Sequence, residues 1–144
     1  MAVPTPRLSA QELHDILHDN FGDGAPLVDE VTSTGVTVRL PISDRHGRPG
    51  GTLSGPAMMM LADTAAWLAL MSRAGAELLA VTTSLHIDFL RKPALVDLVA
   101  TARIVKFGSV LVVTQVDLYS AGQPDELVAT ATVTYSRPKP SHGN

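Results

Sequence analysis

Gly50-Gly51-Thr52-Leu53-Ser54-Gly55-Pro56-Ala57-Met58-Met59-Met60-Leu61-Ala62-Asp63-Thr64 reads as a glycine-rich loop feeding an almost wholly apolar helix. The helix runs on through Ala65, Ala66, Trp67, Leu68, Ala69, Leu70 and Met71 to about Arg73. Pro56 suits the first helical turn, where its missing N–H costs nothing, and Gly75 suits the end. A helix apolar on every side is expected to be buried. Asp63, the acid in its middle, is then expected to be buried too. An unpaired buried charge is costly, so such a group is paired, neutralised or functional.

Before this helix, Ser9 with Glu12 forms a capping-box pattern for a helix over about Ala10 to Asn20, with Leu13, Ile16 and Leu17 as its apolar stripe. Leu27–Glu30 and Val36–Leu40 read as two short strands about a turn at 33–35. A loop follows over 43–53. After the central helix, period-two sets succeed one another: Val81, Thr83, Leu85, Ile87 and Phe89; Leu98, Ala100, Ala102 and Ile104; Val110 to Leu118; Leu127 to Tyr135. Turn signals at Lys92-Pro93, Phe107-Gly108 and 121–124 separate them. Long strands with short connections predict an antiparallel sheet, and one apolar helix with such a sheet predicts that the sheet curls around it. The expected division is a flexible arm over 1–8, one domain over 9–136 and a flexible tail over 137–144.

The chain has 144 residues, enough for one substantial core, and a net charge of only -3. No basic run suggests a nucleic-acid partner. The absence of cysteine excludes disulfides and thiolate chemistry. The first twenty residues lack a signal-peptide pattern, and the apolar run ending before Asp63 is too short to span a membrane. The expectation is a cytoplasmic protein with no membrane partner. His14 and His18 stand at i, i+4 but find no third ligand, so they read as a solvated face and no metal is expected. His86 and Asp88 share a strand face and read as a polar or interface pair rather than as an acid–base couple.

Ser54-Gly55-Pro56 followed by Leu61-Ala62-Asp63-Thr64-Ala65 resembles the His-Gly-Gly…Leu-Ala-Asp-Thr-Ala signature of phenylacetate-pathway-type acyl-CoA thioesterases, within the 4-hydroxybenzoyl-CoA thioesterase superfamily. Ile87-Asp88-Phe89-Leu90-Arg91-Lys92-Pro93-Ala94 resembles that family's Asn-Phe-Leu-Arg-Pro-Ala strand end, with Lys92 inserted. Lys106-Phe107-Gly108-Ser109 stands where the family often has a basic residue and Gly-Arg. The resemblance implies an α+β hotdog fold, an antiparallel β-sheet wrapped around one long central helix. It also implies hydrolysis of an acyl-CoA thioester, with coenzyme A as part of the substrate and no separate cofactor.

By this resemblance Asp63 attacks the carbonyl or activates water, and the Gly55 N–H holds the developing oxyanion at a helix start. Thr82 retains the family's strand hydroxyl. Ser54, Met59 and Trp67 fall to substrate binding, and Met60 stands beside Met59 and Trp67 as a candidate wall of the acyl pocket. Arg91, Lys92, Lys106, Gly108 and Ser109 also fall to substrate binding, the three cations as candidates for the coenzyme A phosphates. Ser54 replaces the family histidine and Pro56 the second glycine, and no asparagine lies in 44–51, where Arg48 falls near its place. These departures keep open a hotdog acyl-CoA binder or sensor that does not hydrolyse. A hydratase would need a histidine beside the helix acid, and the helix has none.

Eight helical residues rise about 12 Å, so Gly55 and Asp63 of one helix do not reach one carbonyl. Both can act only if Asp63 meets Gly55 of a second subunit. A homodimer or a dimer-of-dimers tetramer is expected, with the outer surface of the strand ending at Leu90 available to a partner.

Overall fold

The computed structural model describes residues 2–42, 47–48 and 52–139. Most of the glycine loop, including the place of the family asparagine, and the end of the tail lie outside the described residues, as does the side chain of Arg48. The elements are α1 (Ala10–Phe21), β1 (Leu27–Val31), β2 (Gly35–Leu40), β3 (Gly47–Arg48), β4 (Thr52–Leu53), α2 (Gly55–Ala74), β5 (Val81–Phe89), β6 (Leu98–Phe107), β7 (Leu111–Ser120) and β8 (Leu127–Ser136). Six strands form one antiparallel sheet in the order β1-β2-β6-β7-β8-β5, and β3 pairs with β4 in a small ribbon that the sequence did not announce. This is the α+β hotdog architecture.

Local chemistry explains both helices. Ser9 and Glu12 form the reciprocal capping box that opens α1. Ser54 caps α2, its hydroxyl accepting from the Ala57 N–H at 3.2 Å, with Pro56 in the first turn. Gly75, with φ of 94°, takes the left-handed turn that ends α2. The sheet lays its period-two apolar sets on α2: Val36, Val38, Ala100, Ala102, Val116, Leu118, Ala131 and Val133 are all buried. Gly35 marks the closest backbone approach, since a Cβ there would fall 1.8 Å from the Ala102 carbonyl oxygen.

The second half of α2 is sealed: every residue from Ala65 to Arg73 is buried. The first half corrects the expectation of burial all round. Pro56, Met59 and Met60 are exposed, and Asp63 and Thr64 are only half-buried. These positions recur at helical spacing, so they form one open stripe. It lies on a helix whose neighbouring strand, β5, is an edge strand with little buried surface. The apolar sequence is therefore more extensive than the surface this chain itself covers.

Candidate active site

Asp63 is half-buried and held by two hydroxyls. The Thr82 hydroxyl donates to Asp63 Oδ1 at 2.6 Å, and the Tyr135 hydroxyl lies 3.0 Å from the same Oδ1 and 3.1 Å from the Asp63 carbonyl oxygen. Strict alternation would place Thr82 on the face opposite Leu85 and Ile87. A register shift between Thr82 and Ser84 changes this. Thr82 pairs with Tyr135, which is inward-facing, and Ser84 pairs with Thr134 on the outer face. One bulge thus turns the Thr82 hydroxyl toward α2, the kind of re-aiming that bulges perform beside functional sites.

Beside this carboxylate opens a cavity of about 650 Å³. Leu17, Phe21, Met60, Trp67, Leu78 and Tyr135 are among its walls, with Asp63 and Thr64 as its polar side. Trp67 is fixed by its indole N–H, which donates to the Glu77 carbonyl at 3.3 Å, and by an edge-on contact with Phe21 at 5.8 Å between ring centres. Met60 rather than Met59 faces this space. Met59 is exposed and lines neither this cavity nor the one described next.

Gly55 belongs to a second cavity, of about 510 Å³, with Pro56, Met58, Phe89, Leu90, Arg91 and Lys92. At the start of α2 the donors are almost all spent. Pro56 has none, the Ala57 N–H goes to the Ser54 hydroxyl and the Met58 N–H to the Ser54 carbonyl. Among the described residues no acceptor takes the Gly55 N–H, a donor of the first turn of the helix.

The two cavities mark opposite ends of β5. Thr82, near the start of the strand, holds Asp63. Phe89, at its end, lies 3.5 Å from where a Cβ on Gly55 would stand. The strand of nine residues is roughly 26 Å long. The candidate phosphate ligands divide in the same way. Arg91 and Lys92 follow the end of β5, the Arg91 Nε donating to the Leu127 carbonyl at 3.0 Å. Lys106, Gly108 and Ser109 surround the β6–β7 turn, whose Leu111 shares Ser136 as pairing partner with Val81, the first residue of β5. That turn is pinned by the Gly108 N–H on the Leu111 carbonyl at 2.9 Å and by Arg137 Nη1 on the Gly108 carbonyl at 3.2 Å. Arg137 is itself fixed by a bidentate pair with Glu77 at 3.0 and 2.5 Å. One chain therefore does not bring the two cationic groups together.

His14 and His18 depart from the solvated reading. Their rings stack at 4.0 Å, both are half-buried, and the His18 Nε2 is buried without a partner among the described residues. His86 and Asp88 pair at 3.1 Å on the exposed outer face, away from the helix. No group of three or more potential metal ligands occurs among the described residues. No helix there is long and apolar enough to cross a membrane.

Tyr135 and Phe21 are the site residues that sequence reasoning missed. Periodicity places Tyr135 inward, but only the fold brings its hydroxyl onto Asp63. Phe21 continues the spacing of Leu13 and Leu17 at the last residue of α1, one position beyond the expected helix end, and only the tertiary arrangement brings it to Trp67.

The model of the Thioesterase superfamily matches residues 50–127. A candidate thioesterase from Silicibacter sp. TM1040 is 37% identical, with a TM-score of 0.86 over 94% of this chain and 96% of that one. The phenylacetic acid degradation protein PaaI of Thermus thermophilus, solved as a mutant, is 26% identical, with a TM-score of 0.67 over 78% and 93%. Zebra fish thioesterase superfamily member 2, at 20% identity, shares the fold with a TM-score of 0.79 over 91% and 99%. No curated protein matches the chain. The chain belongs to the thioesterase superfamily, as a hotdog protein of the PaaI-like type, and it is a thioester hydrolase.

Proposed function

We propose that the substrate is an acyl-CoA and that each active site is built from two subunits of a homodimer or of a dimer-of-dimers tetramer. The observation that carries this is the placement of Asp63 and Gly55 at opposite ends of β5, a strand whose outer edge is unpaired in the sheet. An isologous two-fold pairing of β5 with its copy runs antiparallel, so the start of one strand meets the end of the other. Asp63 with Thr82 then faces Gly55 of the partner subunit, and the open stripe of Met59 and Met60 is covered. Arg91 and Lys92 meet the β6–β7 turn of the other chain in the same way, which gathers cations for the phosphates of coenzyme A.

In this reading the Gly55 N–H receives the carbonyl oxygen as it gains charge. Asp63 either takes a proton from water, whose oxygen bonds to the carbonyl carbon, or attacks that carbon itself to give an anhydride that water then opens. On either route the C–S bond breaks and coenzyme A leaves as its thiol once protonated. Thr82 orients Asp63. Ser54 replaces the family histidine as a helix cap, which supports a loop-shaping role for that position. The aromatic wall of Trp67 and Phe21 and the volume beside Asp63 suit an aromatic or medium-chain acyl group. The cytoplasm is the proposed location.

A panel of aryl- and alkyl-CoA thioesters assayed for free thiol tests the reading, with Asp63→Asn as control. Release by the wild type alone is expected, from a species of at least twice 15.2 kDa by light scattering. Saturable acyl-CoA binding with no thiol release would favour a carrier or sensor. An active monomer would remove the shared site.

A further inference from the structure

Tyr135 touches Asp63 and has no part in the reaction described above. The inner face of β8 is otherwise apolar here, with Ala129, Ala131 and Val133 before it, and phenylalanine would fill the same space. The hydroxyl is the feature that packing does not need. It comes to Asp63 from β8 while the Thr82 hydroxyl comes from the paired position on β5, and both reach Oδ1, at 3.0 and 2.6 Å, the Tyr135 proton being shared with the Asp63 carbonyl oxygen at 3.1 Å. Among the described residues no donor reaches Oδ2. Two donors from two strands on one oxygen fix the rotation of the carboxylate about its Cβ–Cγ bond.

We propose that Tyr135 is a positioning residue which, with Thr82, immobilises Oδ1 of Asp63 and so assigns the reacting role to Oδ2. The proposal rests on the thioester-hydrolysis reading of Asp63. Burial raises the Tyr135 hydroxyl above its ordinary range, and the neighbouring Asp63 carboxylate pushes it up further. Tyr135 therefore keeps its proton at working pH and serves as a donor, never as the base.

Tyr135→Phe tests this with two readouts. In steady-state thiol release, kcat falls about tenfold to a hundredfold, the worth of one hydrogen bond to a charged group, with KM within about twofold. In difference infrared spectra against Asp63→Asn, which isolate the Asp63 carboxylate, the antisymmetric stretch moves when the Tyr135 hydroxyl is removed and moves again when Thr82→Val is added. Band shifts with unchanged kcat overturn the positioning role and leave the hydrolase reading standing. Unmoved bands overturn the contact itself. A wild type that releases no thiol, with bands that still shift, overturns the hydrolase reading and the proposal with it.

Discussion

Two charged residues of α2, Asp63 and Arg73, stand ten positions apart and are treated in opposite ways. Arg73 is 1% exposed, and four of its five N–H groups are engaged: its guanidinium donates to the carbonyls of Pro4 at 3.3 Å, Gly35 at 3.0 Å and Thr32 at 2.6 Å, and to the Ser72 hydroxyl at 2.7 Å. Burial pulls it below its ordinary range, but guanidinium stays protonated in proteins. Its bonds to the three carbonyls tie α2 to the N-terminal arm and the β1–β2 turn. Asp63 is half-exposed, faces a cavity and has one oxygen held while the other has no partner among the described residues. Burial with a bond at every nitrogen marks a charge used for structure. Held but incomplete bonding marks a charge available for chemistry.

The sharpest way to break this contrast is at Asp63. Asp63→Asn keeps the volume and removes the base or nucleophile, so turnover should fall by at least about two orders of magnitude in folded protein. More than half the activity remaining would return Asp63 to structure. Gly55→Pro deletes the proposed oxyanion donor at the helix start, and about a hundredfold loss of kcat is expected, with circular dichroism confirming the fold. Ser54→Ala removes only a cap, worth about 1 kcal/mol, and should slow thiol release less than about tenfold. Equal losses from Ser54→Ala and Gly55→Pro would take Gly55 out of the mechanism. Arg73→Met has the smallest expected effect on turnover per folded molecule, yet it strands three carbonyls. It should cost roughly 2–4 kcal/mol in urea unfolding. A stable Arg73→Met protein with lost turnover would reverse the comparison.

Most of the architecture was legible because it follows from local rules. Ser9 and Glu12, the Ser-Gly-Pro start of α2 and the alternation of four long strands each state their structure within a few residues. The open stripe was not legible, because an apolar face reads alike whether its own sheet or another chain covers it. Asp63 and Gly55 stood out by their spacing. The contact of Thr82 with Asp63 depends on a one-residue bulge that no residue type in 81–84 signals. Tyr135 reads as one more inward strand position until β8 is laid beside β5. The division of Arg91 and Lys92 from Lys106 and Gly108 is likewise a property of strand order, not of sequence distance.

Complementation between two defective chains shows whether the site is shared between subunits. Asp63→Asn and Gly55→Pro chains, co-expressed with different tags and isolated as the mixed dimer, would combine one intact pair of Asp63 and Gly55 with one doubly defective pair. About half the wild-type turnover per dimer is expected, from two parents that are each nearly inactive. Turnover of the mixed dimer no higher than that of either parent would show that Asp63 and Gly55 do not act across the interface.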